Sequence, residues 1–248
     1  MSMSDVLTLL DNGVMVIRFN RPDKKNAITE AMYDMLRESL EQAETDAEIK
    51  AVLFTGDAAC FTAGNDLRDF MAHPMKDRNA PVLRFLRTAA VFPKPMVAAV
   101  NGSAIGIGTT LLLHCDLVVA GEQAVFQMPF VNLGLVPEFA SSLLLPRQVG
   151  HVKAAEWLLL GNRFSAQEAL AAGLINKVVA DTDTLEAGRS WAQELAKRPP
   201  EAMQAAKRLM KGEGYAEVLK SIDAEAEIFQ ERLRSKEFAT AVASFFQR

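Results

Sequence analysis

The sequence predicts an α/β layered core followed by a helical C-terminal region. Three observations carry this. Up to about Asp181, short β-rich runs alternate with segments of helical periodicity. From there to Arg248 no strand-like run occurs, and every segment has helical spacing. Half of the 248 residues are hydrophobic and 23% are charged, a balance that lets a chain bury a substantial core without staples.

The elements follow in order. VLTLL and VMVIRF flank Asp11-Asn12-Gly13 and read as a hairpin. TEAMYDMLRESLEQAETD puts Met32, Leu36, Leu40 and Ala43 at helical spacing, with Thr29 as the N-cap. KAVLFTG is a short buried strand. APVLRFLRTAAVF is a helix that stops before Pro93, because the residue preceding a proline avoids helical backbone. KPMVAAVNG and DLVVAG are strands. HVKAAEWLLLG and SAQEALAAG are helices closed by glycine, and NKVVA is a further strand. Four helices complete the chain: LEAGRSWAQELAKR, PPEAMQAAKRLMKG, YAEVLKSIDAEAEIFQERLR and KEFATAVASFFQR. Pro199-Pro200 opens the second, and Gly212 and Gly214 separate it from the third. The chain thus divides into a core over 1–195 and a helical region over 196–248.

Composition removes several classes of function. The net charge is −4, which gives no electrostatic case for nucleic acid or an anionic membrane. Cys60 and Cys115 stand 55 positions apart with no cysteine or histidine at metal-ligand spacing, so neither a disulfide framework nor a metal site is expected. A reducing compartment, the cytoplasm, is the expected location. MSMSDVLTLLDNG lacks the basic and apolar regions of a signal peptide, and FFQR is not a peroxisomal address. No apolar run reaches the roughly 18 residues of a membrane span.

Two glycine-bearing segments stand out, GDAACFTAGNDLRDF from Gly56 and NGSAIGIGTTLLL from Asn101. Neither is a phosphate loop, since no G-K-[ST] follows and the third glycine of a dinucleotide fingerprint is missing. Gly106 and Gly108 sit between a strand ending near Val100 and a helix beginning near Gly108. Two readings stand. The glycines serve tight strand–helix packing, or they let a substrate oxygen approach the free N–H groups of a helix start. Glu138 is the single acidic residue in an otherwise uncharged stretch from Glu122 on. It either opens a helix after Pro137 or serves as a buried base.

FTAGNDL followed by NGSAIGIG resembles the enoyl-CoA hydratase/isomerase, or crotonase, family. RPDKKNAIT, CDLVVAGEQAVFQMP, NLGLVP, FSAQEALAAGLINKVV and RPPEAMQAAKRLM match further family segments, so the resemblance spans about Val6 to Arg248. It implies a spiral of ββα units with a C-terminal helical appendage that assembles trimers or pairs of trimers. It implies an acyl-CoA thioester substrate, with coenzyme A as part of the substrate and no other cofactor. Its oxyanion hole implies backbone donors at Ala63 and Ile107, where isoleucine replaces the usual glycine and would narrow the pocket. Substrate contacts are implied at Lys25, Ala27, Gly64, Asn65, Asp66, Leu67, Gly106, Thr110 and Phe130. Asp66 reads as fixing its loop. Lys24, Lys25 and Arg68 either are solvated or meet the phosphates of coenzyme A.

Hydratases of this family carry two glutamates. Their slots here hold Thr110 and Phe130, which disfavours hydration. VPEFASS resembles the stretch in which Δ3,Δ2-enoyl-CoA isomerases carry one catalytic glutamate, implying Glu138 as that base, with Phe139 replacing a glycine in the pocket wall. The reading is an isomerase of fatty acid degradation. The alternatives are a hydratase or another reaction through the same oxyanion hole, and a family member that binds acyl-CoA or protein without turnover. His73, near the acyl pocket, is a further candidate, and His114 reads as structural.

Overall fold

The computed structural model describes residues 4–73, 75, 77–212 and 214–247. β1 (Val6–Asp11) pairs antiparallel with β2 (Val14–Phe19) across Asn12-Gly13, as the hairpin signal predicts. α1 (Glu30–Thr45) is capped by Thr29, whose side chain accepts from Met32 N–H at 3.3 Å. Met32, Leu36, Leu40 and Ala43 are all buried. The chain continues through β3 (Ala51–Thr55), β4 (Cys60–Thr62), α2 (Leu67–Ala72), α3 (Pro81–Ala90), β5 (Met96–Val100), β6 (Ser103–Ile105) and α4 (Ile107–Thr110). Then come β7 (Leu117–Gly121), β8 (Val125–Gln127), α5 (Ser141–Val149), α6 (His151–Ala155), β9 (Phe164–Ser165), α7 (Ala166–Ala171) and β10 (Lys177–Val179). α8 (Thr184–Ala196), α9 (Pro200–Lys211), α10 (Gly214–Leu233) and α11 (Lys236–Phe246) follow, and Arg248 lies outside the described residues.

The strands are dealt alternately into two sheets. The larger runs β1-β2-β3-β5-β7-β10 and the smaller β4-β6-β8-β9. β3 leads to β4, β5 to β6 and β7 to β8, so each turn of chain adds one strand to each sheet before returning. This is the ββα spiral that the resemblance implies. β3 and β5 are buried at every residue and read as unbroken apolar runs, so the sequence reveals them. β4, β6 and β8 have three residues each, too few for a periodicity, and the sequence reading assigns no strand to them. HVKAAEWLLLG, read as one helix, changes after α6 to a wider π turn over Glu156–Leu160 before Gly161.

The C-terminal helices do not all do the same work. α8 covers one face of the large sheet, where Gly188 lies against Leu53, Ala99 and Val119 and Ala192 is buried among the same strands. α10 instead packs on α3 and α5 and sends Ile222, Ala226 and Phe229 into the main core.

Asn26 ties the segment before α1 to the corner after β3. Wholly buried, with φ 54°, it donates from Nδ2 to Cys60 O at 2.8 Å and to Asp57 Oδ2 at 3.1 Å. Its Oδ1 accepts from Arg21 N–H at 2.8 Å. Asn26→Ala removes these bonds and leaves alanine in left-handed backbone, so a loss of roughly 2–4 kcal/mol is expected. Urea denaturation should show a lower midpoint at an unchanged slope, and an unchanged midpoint would contradict this account.

Candidate active site

Two backbone segments meet at the site. One leads from β4 into α2 and the other from β6 into α4. Gly64, at φ 87°, lies so close to the second segment that an added Cβ would stand 2.8 Å from Ile105 O. Gly106 has φ 56° and ψ −118°, backbone that a side chain would strain. Gly108 is different: a Cβ there would meet Thr62 Cγ2 at 2.6 Å, so it serves packing. The packing reading therefore holds for Gly108, while Gly106 is required by its backbone conformation and stands beside open space. Past Gly106, the Ile107 N–H opens α4 and has no acceptor among the described residues. The Ile107 side chain packs into the main core rather than narrowing the pocket.

The expectation for Ala63 is corrected. Its N–H donates to Lys25 O at 2.9 Å, so it is not free for a substrate oxygen. Gly64 N–H donates to Thr62 Oγ1 at 3.1 Å, and Asp66 N–H to Ile28 O at 2.9 Å. The N–H that this pairing leaves over is that of Asn65, which has no acceptor among the described residues. The motif locates the loop, but the choice of free N–H depends on how residues 25–28 pair beside it.

Glu138 is 8% exposed, and Thr110 Oγ1 donates to its Oε1 at 2.5 Å. Burial pushes the carboxyl up to about 8; the Thr110 bond opposes the rise and the charge of Glu225 adds to it. Tyr33 is buried alongside and donates to Asn65 Oδ1. Its phenol is held well above the ordinary value, first by burial and then by the charge of Glu138. After Glu138 the chain takes two left-handed residues without glycine, Phe139 at φ 60° and Ala140 at φ 56°. The Phe139 ring stacks on His114 with centroids 3.8 Å apart, and His114 Nε2 lies 2.8 Å from Phe139 O. Burial drops the imidazole to about 3, so it is neutral and Nε2 donates as N–H. Glu225 of α10 accepts from Ala140 N–H at 2.6 Å, from Ser142 N–H at 3.0 Å and from the Ser142 hydroxyl. His114 is structural, as the sequence reading has it. Glu225 was missed, since nothing local marks a residue 85 positions from its partner.

A broad groove passes both loops. Lys25, Ala27, Ala63, Gly64, Asn65, Asp66, Leu67, Gly106, Ile107 and Phe130 line it. A narrower apolar pocket adjoins it, with Glu138 and Phe139 in its wall beside Phe70, Val82, Leu86 and Ile222. Asn65 and Phe229 line both spaces and mark where they meet. The structure thus brings the sequence-predicted residues together, with Thr110 buried behind Glu138. Arg21, Lys24, Lys25, Arg68 and Arg163 give the groove a basic rim. Asp66 caps α2, accepting from Arg68 N–H at 3.1 Å and Asp69 N–H at 3.3 Å, and pairs with Arg21 at 2.7 Å. Partial burial would raise its carboxyl, but the Arg21 bond and the backbone donors outweigh this and hold it low. Asp66 therefore fixes the loop, as read. His73 stands exposed with Nδ1 3.3 Å from Asp69, outside both linings.

The sequence profile described as enoyl-CoA hydratase/isomerase matches residues 10–248. The chain belongs to the enoyl-CoA hydratase/isomerase family. Its similarity to Enoyl-CoA delta isomerase 2 of Rattus norvegicus is 37% identity over 249 aligned positions, covering 98% of this chain and 63% of that protein. The chain therefore spans less than two thirds of that relative's length. 2,3-Dehydroadipyl-CoA hydratase of Escherichia coli (strain K12) is 33% identical, covering 99% of this chain and 97% of that one. The solved structure of Pseudomonas aeruginosa OdaA superposes with a TM-score of 0.96 at 48% identity, covering 99% of this chain and 100% of that one. The spiral is the crotonase fold of this enoyl-CoA hydratase/isomerase family. Relatives named as isomerase and as hydratase are similarly distant, so membership alone does not choose the reaction.

Burial of Glu138 has a consequence for stability. Its carboxyl titrates near 8 when folded, against an ordinary 4.5. Between these values the folded chain keeps a proton that the unfolded chain releases, so this group's contribution to stability falls as pH rises through the window. Glu138→Gln has nothing to titrate there. The variant should gain stability over wild type toward about pH 8.5, on the order of a few kcal/mol, and the gain should vanish toward pH 4.5. Thermal melts across this range check it; a gain independent of pH would contradict burial of a titrating group.

Proposed function

We propose that this chain is an enoyl-CoA isomerase that moves the double bond of a 3-enoyl-CoA to the trans-2 position with Glu138 as its single base. The observation that carries the reading is the carboxyl of Glu138. It lies in the wall of an apolar pocket, bonded by Thr110, where that pocket adjoins the groove. The name of the rat relative supports isomerisation. So do Thr110 and Phe130, which fill the slots that the resemblance gives to the two hydratase glutamates.

In this reading the thioester oxygen accepts from the N–H groups of Asn65 and Ile107. Glu138 takes a proton from carbon 2, and the electron pair spreads through the dienolate to the thioester oxygen. The two donors hold that charge, each worth about 10²–10³ in rate in comparable sites. The same carboxyl then returns the proton to carbon 4. Atoms and charge balance with no oxidant or further cofactor, so coenzyme A enters only as part of the substrate. A base lifted toward pH 8 is stronger than an ordinary carboxylate, and the Thr110 bond on Oε1 leaves Oε2 for the transfer. Lys25, with Lys24 and Arg68 on the groove rim, is suited to the phosphates of coenzyme A.

The reading extends to assembly and place. Leu209 and Met210 on α9 are 80% and 77% exposed, an apolar surface suited to another subunit of a homotrimer or homohexamer. No helix among the described residues is long and apolar enough to cross a membrane. Cys60 and Cys115 are unpaired, as the reducing cytoplasm would leave them.

Two outcomes are expected. Wild type should convert 3-enoyl-CoA faster than it hydrates trans-2-enoyl-CoA of the same length, and Glu138→Gln should cut isomerisation by at least about 10² with acyl-CoA affinity nearly unchanged. Faster hydration, or a variant keeping a tenth of its turnover, would sink the single-base reading. Sedimentation at micromolar concentration should give a trimer or hexamer, and a monomer would contradict the assembly.

A further inference from the structure

The turn that carries Glu138 has one closing bond of its own, Ser141 N–H to Glu138 O at 3.1 Å, and takes its other support from outside. Phe139 and Ala140 both stand in left-handed backbone, which costs a residue with a side chain. α5 begins directly after them, with Ala140 at its N-cap, and no side chain of the turn itself caps it. Thr29 caps α1, Asp66 caps α2 and Ser165 caps α7 from within their own turns, and α1 also receives Asp69, which accepts from Glu30 N–H at 2.7 Å. Here the acceptor comes from far away. Both oxygens of Glu225 are engaged, Oε2 by Ala140 N–H at 2.6 Å and Oε1 by Ser142 N–H at 3.0 Å and the Ser142 hydroxyl. Glu225 is itself buried, on the helix whose Ile222, Ala226 and Phe229 form part of the pocket wall. One helix thus supplies both a side of the pocket and the clamp on the turn opposite it.

We propose that Glu225 is a positioning residue: its carboxylate holds the turn over 138–142 in its left-handed form and so aims Glu138 into the pocket. This rests on the reading of Glu138 as the base. A glutamate serving only to satisfy buried donors would affect stability. A positioning residue affects the chemical step, because a base displaced by about 1 Å loses on the order of 10² in rate while the remote substrate contacts persist.

Glu225→Gln tests this. The amide offers one acceptor oxygen and turns an N–H group toward the other backbone donor, so the two-pronged grip is lost. The 3-enoyl-CoA isomerisation kcat should fall about 10- to 100-fold with KM within about threefold, in protein that melts cooperatively. Adding Ala140→Gly to Glu225→Gln should recover at least about fivefold of kcat, since glycine holds a positive φ without the clamp. A kcat for Glu225→Gln within threefold of wild type overturns the proposal, as does a loss that the glycine leaves untouched. Should Glu225→Gln not fold, Ser142→Ala removes one donor and keeps the Glu225 carboxyl. It should lower kcat about three- to tenfold at constant KM, and a wild-type kcat there also overturns the proposal. Glu138→Gln run alongside separates the two failures. If it stays active, the base assignment has failed; if it is dead while Glu225→Gln is fully active, the positioning role alone has failed.

Discussion

A carboxylate taken out of water must either keep its proton or be held by donors, and Glu138 does some of each. Thr110 gives one hydrogen bond to Oε1, too little to offset burial, and the pKa climbs to about 8. On the proposed reading, a group poised there can both accept and return a proton near neutral pH. Much of the surrounding construction follows from keeping this one group dry and aimed. Phe139 packs on His114, α10 closes the pocket with Ile222, Ala226 and Phe229, and Glu225 grips the turn. His114 is neutral by burial, so it pins the Phe139 carbonyl without adding a charge beside the carboxylate.

The spiral brings the parts of the site together through its smaller sheet. β4, β6 and β8 are neighbours there in that order. The segments carrying Asn65, Ile107 and Glu138 leave the ends of these three strands in the same order. Three loops far apart in sequence are thus neighbours because three short strands pair. The larger sheet holds the long, buried strands of the core, while the short strands of the smaller sheet set the order of the loops. Gly64 lets the first loop approach the second to a distance that no side chain would permit.

This division explains what could be read from the sequence. The hairpin at Asp11-Asn12-Gly13, the amphipathic α1 and the fully buried β3 and β5 are written as local patterns, and they form where those patterns lie. The short strands leave no pattern, so the smaller sheet is invisible without the family motifs. Those motifs lead to both glycine loops and to Glu138. They do not reveal which N–H is spent within the fold: Ala63 gives its own to Lys25 O, and Asn65 finds no acceptor among the described residues, a consequence of tertiary pairing. Glu225 is less legible still. In sequence it is one acid among several in YAEVLKSIDAEAEIFQERLR, and only the packing of α10 against α5 singles it out.

Thr110 links the identity of the base to the number of bases. It stands where a hydratase of the resembling type carries a glutamate, yet here it donates to Glu138. A hydroxyl at this place supplies a hydrogen bond to the charged base and lowers its pKa. A carboxylate would do the reverse, repelling the charge of Glu138 and raising a pKa that burial and Glu225 have already raised. Two ionised carboxylates this close in an apolar pocket could not both persist, and one would stay protonated. The presence of Thr110 therefore fits the proposed single carboxylate, which would both take and return the proton. Phe130, buried at the edge of the groove, works in the same direction by offering an attacking water no polar side chain. On the proposed reading, these two uncharged residues set the chemistry as much as the carboxylate that would carry the proton.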